Sequence, residues 1–146
     1  MTCDSTIVIE PYTICCFKDP IICSFFQEYY EVHVEKKTAA EAREVCKSRG
    51  RQLFEPRNSS TNSEVTALAK TKGVSRFWIG IHDKTNEGKF TYESNSQTIG
   101  YKNWSPNEPN NYGSGEDCVH SYVGKWNDFS CNHKLSFVCE KPQPGK

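Results

Sequence analysis

The sequence predicts an α+β domain. Two early segments carry helix start and stop signals. The second half breaks into short apolar runs of strand length. Between those runs lies a long stretch rich in Asn, Gly, Ser and Pro. Helices gathered at one end of the chain and short strands at the other favour α+β over an alternating α/β pattern. The 146 residues fit one domain with a real core and leave little for a second.

In chain order, residues 1–27 stand apart, with Cys3, Cys15, Cys16 and Cys23 and no helical period. From Glu28, "EYYEVHVE" alternates like a half-buried strand. In "TAAEAREVCKSRG", Thr38 and Glu41 form a capping-box pair, Ala42, Val45 and Cys46 share a face, and Gly50 can stop the helix. The same grammar returns in "TNSEVTALAKTKG". There Thr61 and Glu64 form the box, Val65, Leu68 and Ala69 point inward, and Gly73 ends the helix. "RFWIGI" suits a buried strand, and "KFTY", "DCVHSYV" and "LSFVCE" are further strands. Residues 93–116 hold no helix or strand signal. A loop of that length is either functional or disordered, and Trp104 and Cys118 favour an ordered one.

Composition excludes several functions. Lys plus Arg equals Asp plus Glu, 18 each, which argues against a nucleic-acid or anionic-membrane surface. No apolar run is long enough to span a bilayer. The start lacks a basic, then apolar, signal-peptide pattern, as expected of a mature form with Met1 as an expression start. Eight cysteines in a small chain favour disulfides in an oxidising, extracellular setting. Zinc is disfavoured, because no Cys-x-x-Cys or paired-histidine spacing occurs. "NSS" at Asn58 and "NWS" at Asn103 are glycosylation acceptor patterns, meaningful only in a secreted chain. His33, His82, His120 and His133 form no recognisable catalytic motif, so an enzyme is not expected.

The chemistry concentrates in "EPNNYGSGEDC" and "KWNDFSC". Glu108, Asn110, Glu116, Asn127 and Asp128 offer three carboxylates and two amides. Calcium takes six to eight such oxygens, and a charge of about minus three suits it. Without a cation the carboxylates would repel one another. A cis bond before Pro109 would let Glu108 and Asn110 face one ion. The plain alternative is a solvated acidic loop. The second cluster, just before Cys131, weighs against it.

These two motifs and "SFVCE", with "FWIGIHD" and "EGKF" upstream, closely resemble the C-type lectin domain, nearest to its collectin-like members. The resemblance covers about residues 28–141, leaving the cysteine-rich segment 1–27 and a tail over 142–146. It implies a looped fold with two helices flanking small antiparallel sheets. It also implies disulfides Cys46–Cys139 and Cys118–Cys131, with Trp78, Ile79 and Gly80 in the core. Glu108, Asn110, Glu116, Asn127 and Asp128 match all five protein ligands of the family's principal calcium site, where two neighbouring sugar hydroxyls enter the calcium shell. Asp83, Glu87 and Asp117 match an auxiliary calcium site. Its fourth position is Asn111, where mannose-binding proteins carry an aspartate, so one charge is lost there. The "EPN" triplet implies mannose-type glycans as partners. Tyr112, two positions after Asn110, supports the alternative of galactose stacked on its ring. A third reading is a domain of this fold that binds a protein, ice or mineral instead of sugar. The implied setting is secreted, and Cys3, Cys15, Cys16 and Cys23 are candidates for bonds between the chains of a homodimer.

Overall fold

Helix signals decide where the chain turns. The computed structural model describes residues 6–9, 12–15, 29–111 and 115–142, the first two stretches by backbone alone. The strands are β1 (Thr6–Ile9), β2 (Tyr12–Cys15), β3 (Tyr30–Lys37), β4 (Gln52–Leu53), β5 (Arg76–His82), β6 (Thr91–Tyr92), β7 (Cys118–Tyr122), β8 (Lys125–Phe129) and β9 (Leu135–Glu140). The helices are α1 (Ala39–Ser48) and α2 (Ser59–Thr71).

Helix α1 begins on the expected capping box, with the Thr38 hydroxyl accepting from Glu41 N–H and the Glu41 carboxylate accepting from Thr38 N–H. Both helices end where a glycine takes a positive φ, Gly50 at 70° and Gly73 at 76°. Each end closes with a pair of backbone bonds: Gly50 N–H to Lys47 and Arg51 N–H to Cys46, then Gly73 N–H to Lys70 and Val74 N–H to Ala69. This is the glycine-dependent Schellman arrangement, which pairs carbonyls the helix leaves open. The start of α2 corrects the sequence expectation. Asn58, not Thr61, is the cap, its Oδ1 accepting from Thr61 N–H at 2.8 Å. Thr61 and Glu64 lie inside the helix.

The sheet also differs from the expected small antiparallel sheets. Seven strands join in the order β3–β9–β5–β7–β8, with β4 on β9 and β6 on β5. The β5–β9 pairing is parallel and the others are antiparallel. β1 and β2 pair separately as an antiparallel hairpin. The α+β class stands.

Alternation along the strands sends side chains to two cores. Trp78, Phe137, Cys118 and Cys139 pack with Ala39, Ala42 and Cys46 of α1. Ile79, Val138 and Val119 pack with Val65 and Ala69 of α2. The helices therefore cover opposite faces of one sheet. Gly80 sits where β5 runs close to β4. A Cβ there would lie 2.9 Å from the Leu53 carbonyl oxygen and from Glu55 Cγ, so the "WIG" glycine is a packing requirement.

Candidate functional site

The site lies where β5, β7 and β8 meet the long loop. Asp83 directly follows β5, Glu116 and Asp117 directly precede β7, and Asn127 and Asp128 lie within β8. The β7–β8 register sets Val119 opposite Asp128 and His120 opposite Asn127. The Cys118–Cys131 disulfide ties the start of β7 to the chain leaving β8. Cys46–Cys139 joins α1 to β9, and no described cysteine is free. Cys3, Cys16 and Cys23 lie outside the described residues, and Cys15 is described by backbone alone.

One carboxylate oxygen from each of Glu108, Glu116 and Asp128 falls within 4.8 Å of the others. Asp128 is buried and organises the loop: Oδ1 accepts from Asn110 N–H at 3.0 Å and Oδ2 from Asn111 N–H at 2.7 Å. The Glu108–Pro109 bond is cis, as expected from the motif, and Asn110 Nδ2 donates to Glu108 Oε2 at 3.3 Å. Asn111 takes a positive φ of 49°, and its Oδ1 accepts from Glu116 N–H at 2.9 Å. Tyr112 lies outside the described residues.

Two atoms show what this arrangement asks for. Glu108 Oε1 and Asn127 Oδ1 are buried and have no hydrogen-bond partner. A buried acceptor left unpaired costs about 1–3 kcal/mol. Burial, then the neighbouring Asp128 and Glu116, pushes the Glu108 carboxyl up to about 7. Converging oxygens, orphaned acceptors and mutual repulsion together fit a hard divalent cation, which would pair the oxygens and offset the charge.

A second cluster repeats the pattern. Oxygens of Asp83, Glu87 and Asp117 come within 4.8 Å of one another. Asp83 is buried, with Oδ2 accepting from Gly88 N–H at 2.9 Å and Oδ1 buried and unpartnered. Burial, ahead of the charges of its neighbours, raises the carboxyls of Asp83 and Asp117. Asn111, the fourth expected member, has its side-chain oxygen engaged on Glu116 N–H. A third close group, Glu31, His33 and Cys139, is no comparable site. Cys139 is in a disulfide, and Glu31 is bonded to Arg49 and Arg51.

Sequence reading missed the support beneath the loop. Trp126 N–H donates to the Asn103 carbonyl at 2.9 Å, and Ser105 N–H to the Trp126 carbonyl at 2.8 Å, fastening residues 103–105 to β8 just before Asn127. Buried Asn62 of α2 accepts from Trp126 Nε1–H at 3.2 Å and donates to the Gly124 carbonyl at 3.0 Å. Asn103 Nδ2 donates to the same carbonyl. The amide of one acceptor pattern is thus engaged internally, whereas Asn58 is exposed. The sequence signal for this network is the tryptophan next to Asn127 and Asp128.

Comparisons with known proteins agree with this geometry. The family model for the C-type lectin domain matches residues 35–141. Collectin-10 of Xenopus tropicalis is 36% identical over 115 residues, covering 78% of this chain and 42% of that protein. Pulmonary surfactant-associated protein D of Bos taurus is 34% identical, covering 78% of this chain and 31% of its own length. The chain spans less than half the length of these relatives. Among solved structures, the mouse scavenger receptor C-type lectin carbohydrate-recognition domain superposes with a TM-score of 0.71 at 30% identity, covering 78% of this chain and 89% of that one. The cow CD23 carbohydrate-recognition domain, crystallised in the presence of a GlcNAc2Man3 oligosaccharide, gives 0.68 at 33%, covering 78% and 87%. The chain belongs to the C-type lectin domain family. At family level these domains are carbohydrate-binding lectins, and calcium dependence is general among them.

Proposed function

We propose that the chain is a calcium-dependent lectin that holds a terminal hexose through two neighbouring hydroxyls. The observation that carries this reading is the pair of orphaned buried acceptors, Glu108 Oε1 and Asn127 Oδ1, beside three converging carboxylates. Glu108, Asn110, Glu116, Asn127 and Asp128 would hold the principal ion. Asp83, Glu87 and Asp117 would hold an auxiliary one, which Asn111 could join only through the second lone pair of the oxygen that accepts from Glu116 N–H. Bound calcium supplies coordination positions for the sugar hydroxyls. Around it, the Glu108 and Glu116 carboxylates accept hydrogen bonds from those hydroxyls, and the Asn110 and Asn127 amides donate to them. Asp128 keeps the Glu108–Asn110 turn in place through its two backbone bonds. A secreted chain suits the extracellular calcium concentrations that such sites use. No described helix is long and apolar enough to cross a membrane.

The order of donors and acceptors set by "EPN" supports mannose-type sugars over galactose. Reversing one pair leaves a hydroxyl facing the wrong partner, at about 1–3 kcal/mol, or roughly tenfold to a hundredfold in affinity. The galactose reading rests on the Tyr112 ring. One inhibition experiment separates them. Binding to a mannose-bearing matrix should vanish in chelator, and mannose should inhibit better than galactose in both the parent and Tyr112→Ala. A galactose preference that disappears in Tyr112→Ala would transfer the choice to the ring. Binding unaffected by chelator would reject the calcium reading. Because the Glu108 carboxyl sits near about 7 without a cation, protons compete with calcium below that pH, and calcium affinity should fall as the solution is acidified from there.

A further inference from the structure

Beside the ligand turn lies a cavity of about 420 Å³ whose wall includes Pro109, the residue between Glu108 and Asn110. Its volume falls within the range of about 300–1,000 Å³ common for ligand pockets. Phe90 and Ile99 are buried parts of the lining, Trp104 is half-buried, and Lys89 and Lys102 are exposed. Trp104 is fixed edge-on to Phe90 at 4.8 Å and to Trp126 at 5.7 Å, so its indole is a rigid wall. No acid is among the described residues that line the cavity. Neither lysine enters any ion pair found among the described residues.

We infer that this cavity is a subsite for an acidic saccharide residue, bearing a sulfate or a carboxylate, linked to the hexose held at the neighbouring turn. The inference rests on the proposed calcium-held hexose and extends it. A sugar ring offers an apolar C–H face to a rigid indole and oxygens to cations. Trp104, Lys89 and Lys102 supply those two complements in one hollow. Two lysines line it and neither is ion-paired among the described residues, so an anionic residue there gains where a neutral one does not. Pro109 belongs to both the turn and the cavity wall, so the occupant is taken as the next residue of the same glycan. The acids adjacent in sequence to the lining, Glu87 and Glu108, belong to the two carboxylate clusters. Left unneutralised they repel an anion, so the preference for acidic glycans appears with calcium present.

The test compares neutral mannose- and galactose-terminated oligosaccharides with the same oligosaccharides carrying one sulfate, or one uronic carboxylate, on the residue next to the terminal hexose. In calcium, the parent should bind the acidic forms about threefold to tenfold more tightly, the gain of two exposed charge contacts. That gain should shrink toward unity in about 0.5 M NaCl. K89Q/K102Q should lose the gain while keeping the parent's affinity for the neutral forms and its thermal midpoint. The sulfate and carboxylate arms tell which anion the subsite prefers. Equal binding of acidic and neutral forms by the parent overturns the subsite, as does a gain that survives in K89Q/K102Q. Failure of the neutral forms to bind in calcium would instead reject the hexose reading beneath it.

Discussion

Glu140 is an acid without solvent. It is 1% exposed, and its Oε2 accepts from Gln52 Nε2–H at 3.0 Å and Glu55 N–H at 3.1 Å. Burial outweighs these bonds and pushes its carboxyl up to about 8, with the nearby Glu55 adding to the rise. In the unfolded chain the same group ionises near 4.5. Between those values the unfolded state releases a proton that the folded state keeps. The group therefore lowers stability as pH rises from about 4.5 to about 8, by roughly 1.4 kcal/mol per pH unit, and adds no slope outside that window. Glu140→Gln has no proton to lose and keeps an acceptor for Glu55 N–H. In chelator, urea midpoints of parent and variant should draw apart from about pH 5 to about pH 8, with the variant falling less. Parallel curves would show that Glu140 does not titrate as placed. Nothing in "VCE" marks this acid as buried, because an acid at the end of a strand reads as a solvated residue. The convergence of three other acids was legible for the opposite reason. Glu108, Glu116 and Asp128 sit in two compact runs with amides, a pattern that solvation alone does not require.

Elements were legible where local chemistry was unopposed. Helix α1 has one capping box and one stop glycine, and it forms between them. At the start of α2 the expected Thr61–Glu64 box gives way to Asn58, three residues upstream, which takes extended φ and ψ while Thr61 continues the helix. Asn58→Ala should then cost about 1 kcal/mol in chemical denaturation, the usual value of a lost cap, while Thr61→Ala should leave stability unchanged or raise it by a few tenths of a kcal/mol, since Ala is the better helix former. The reverse order would restore the Thr61–Glu64 box. Strand β8 was illegible for a different reason. Asn and Asp are poor strand formers, so "KWNDF" stands out as a cluster of oxygen donors and is missing from the expected strands. It forms because β7 pairs along all five of its residues and Trp126 is fully buried beneath it. Tertiary pairing overrides propensity at the strand that carries Asn127 and Asp128.

Across the molecule, the two described disulfides are expected to divide stability from calcium binding. Cys46–Cys139 spans 93 residues and joins α1 to the strand shared by β3, β4 and β5. Cys118–Cys131 spans 13 residues and closes the β7–β8 hairpin on which Asn127 and Asp128 sit, beside Glu116 and Asp117. Loop-closure entropy sets the first at about 4–5 kcal/mol and the second at about 3 kcal/mol. Both bridges lie within buried packing around Trp78 and Phe137, so each must be replaced by a pair of small apolar residues. C46A/C139A should show the larger loss of unfolding free energy, yet calcium affinity close to the parent's in the fraction that remains folded. C118A/C131A should unfold less readily than C46A/C139A but bind calcium more weakly, because the ends of the strands that carry the carboxylates are freed where they must converge. Calcium titration by calorimetry alongside denaturation reads both quantities. If the short bridge proves to matter only for stability, the hairpin pairing and the Asp128 bonds to Asn110 and Asn111 are sufficient to hold the site, and the disulfide has no part in setting its affinity.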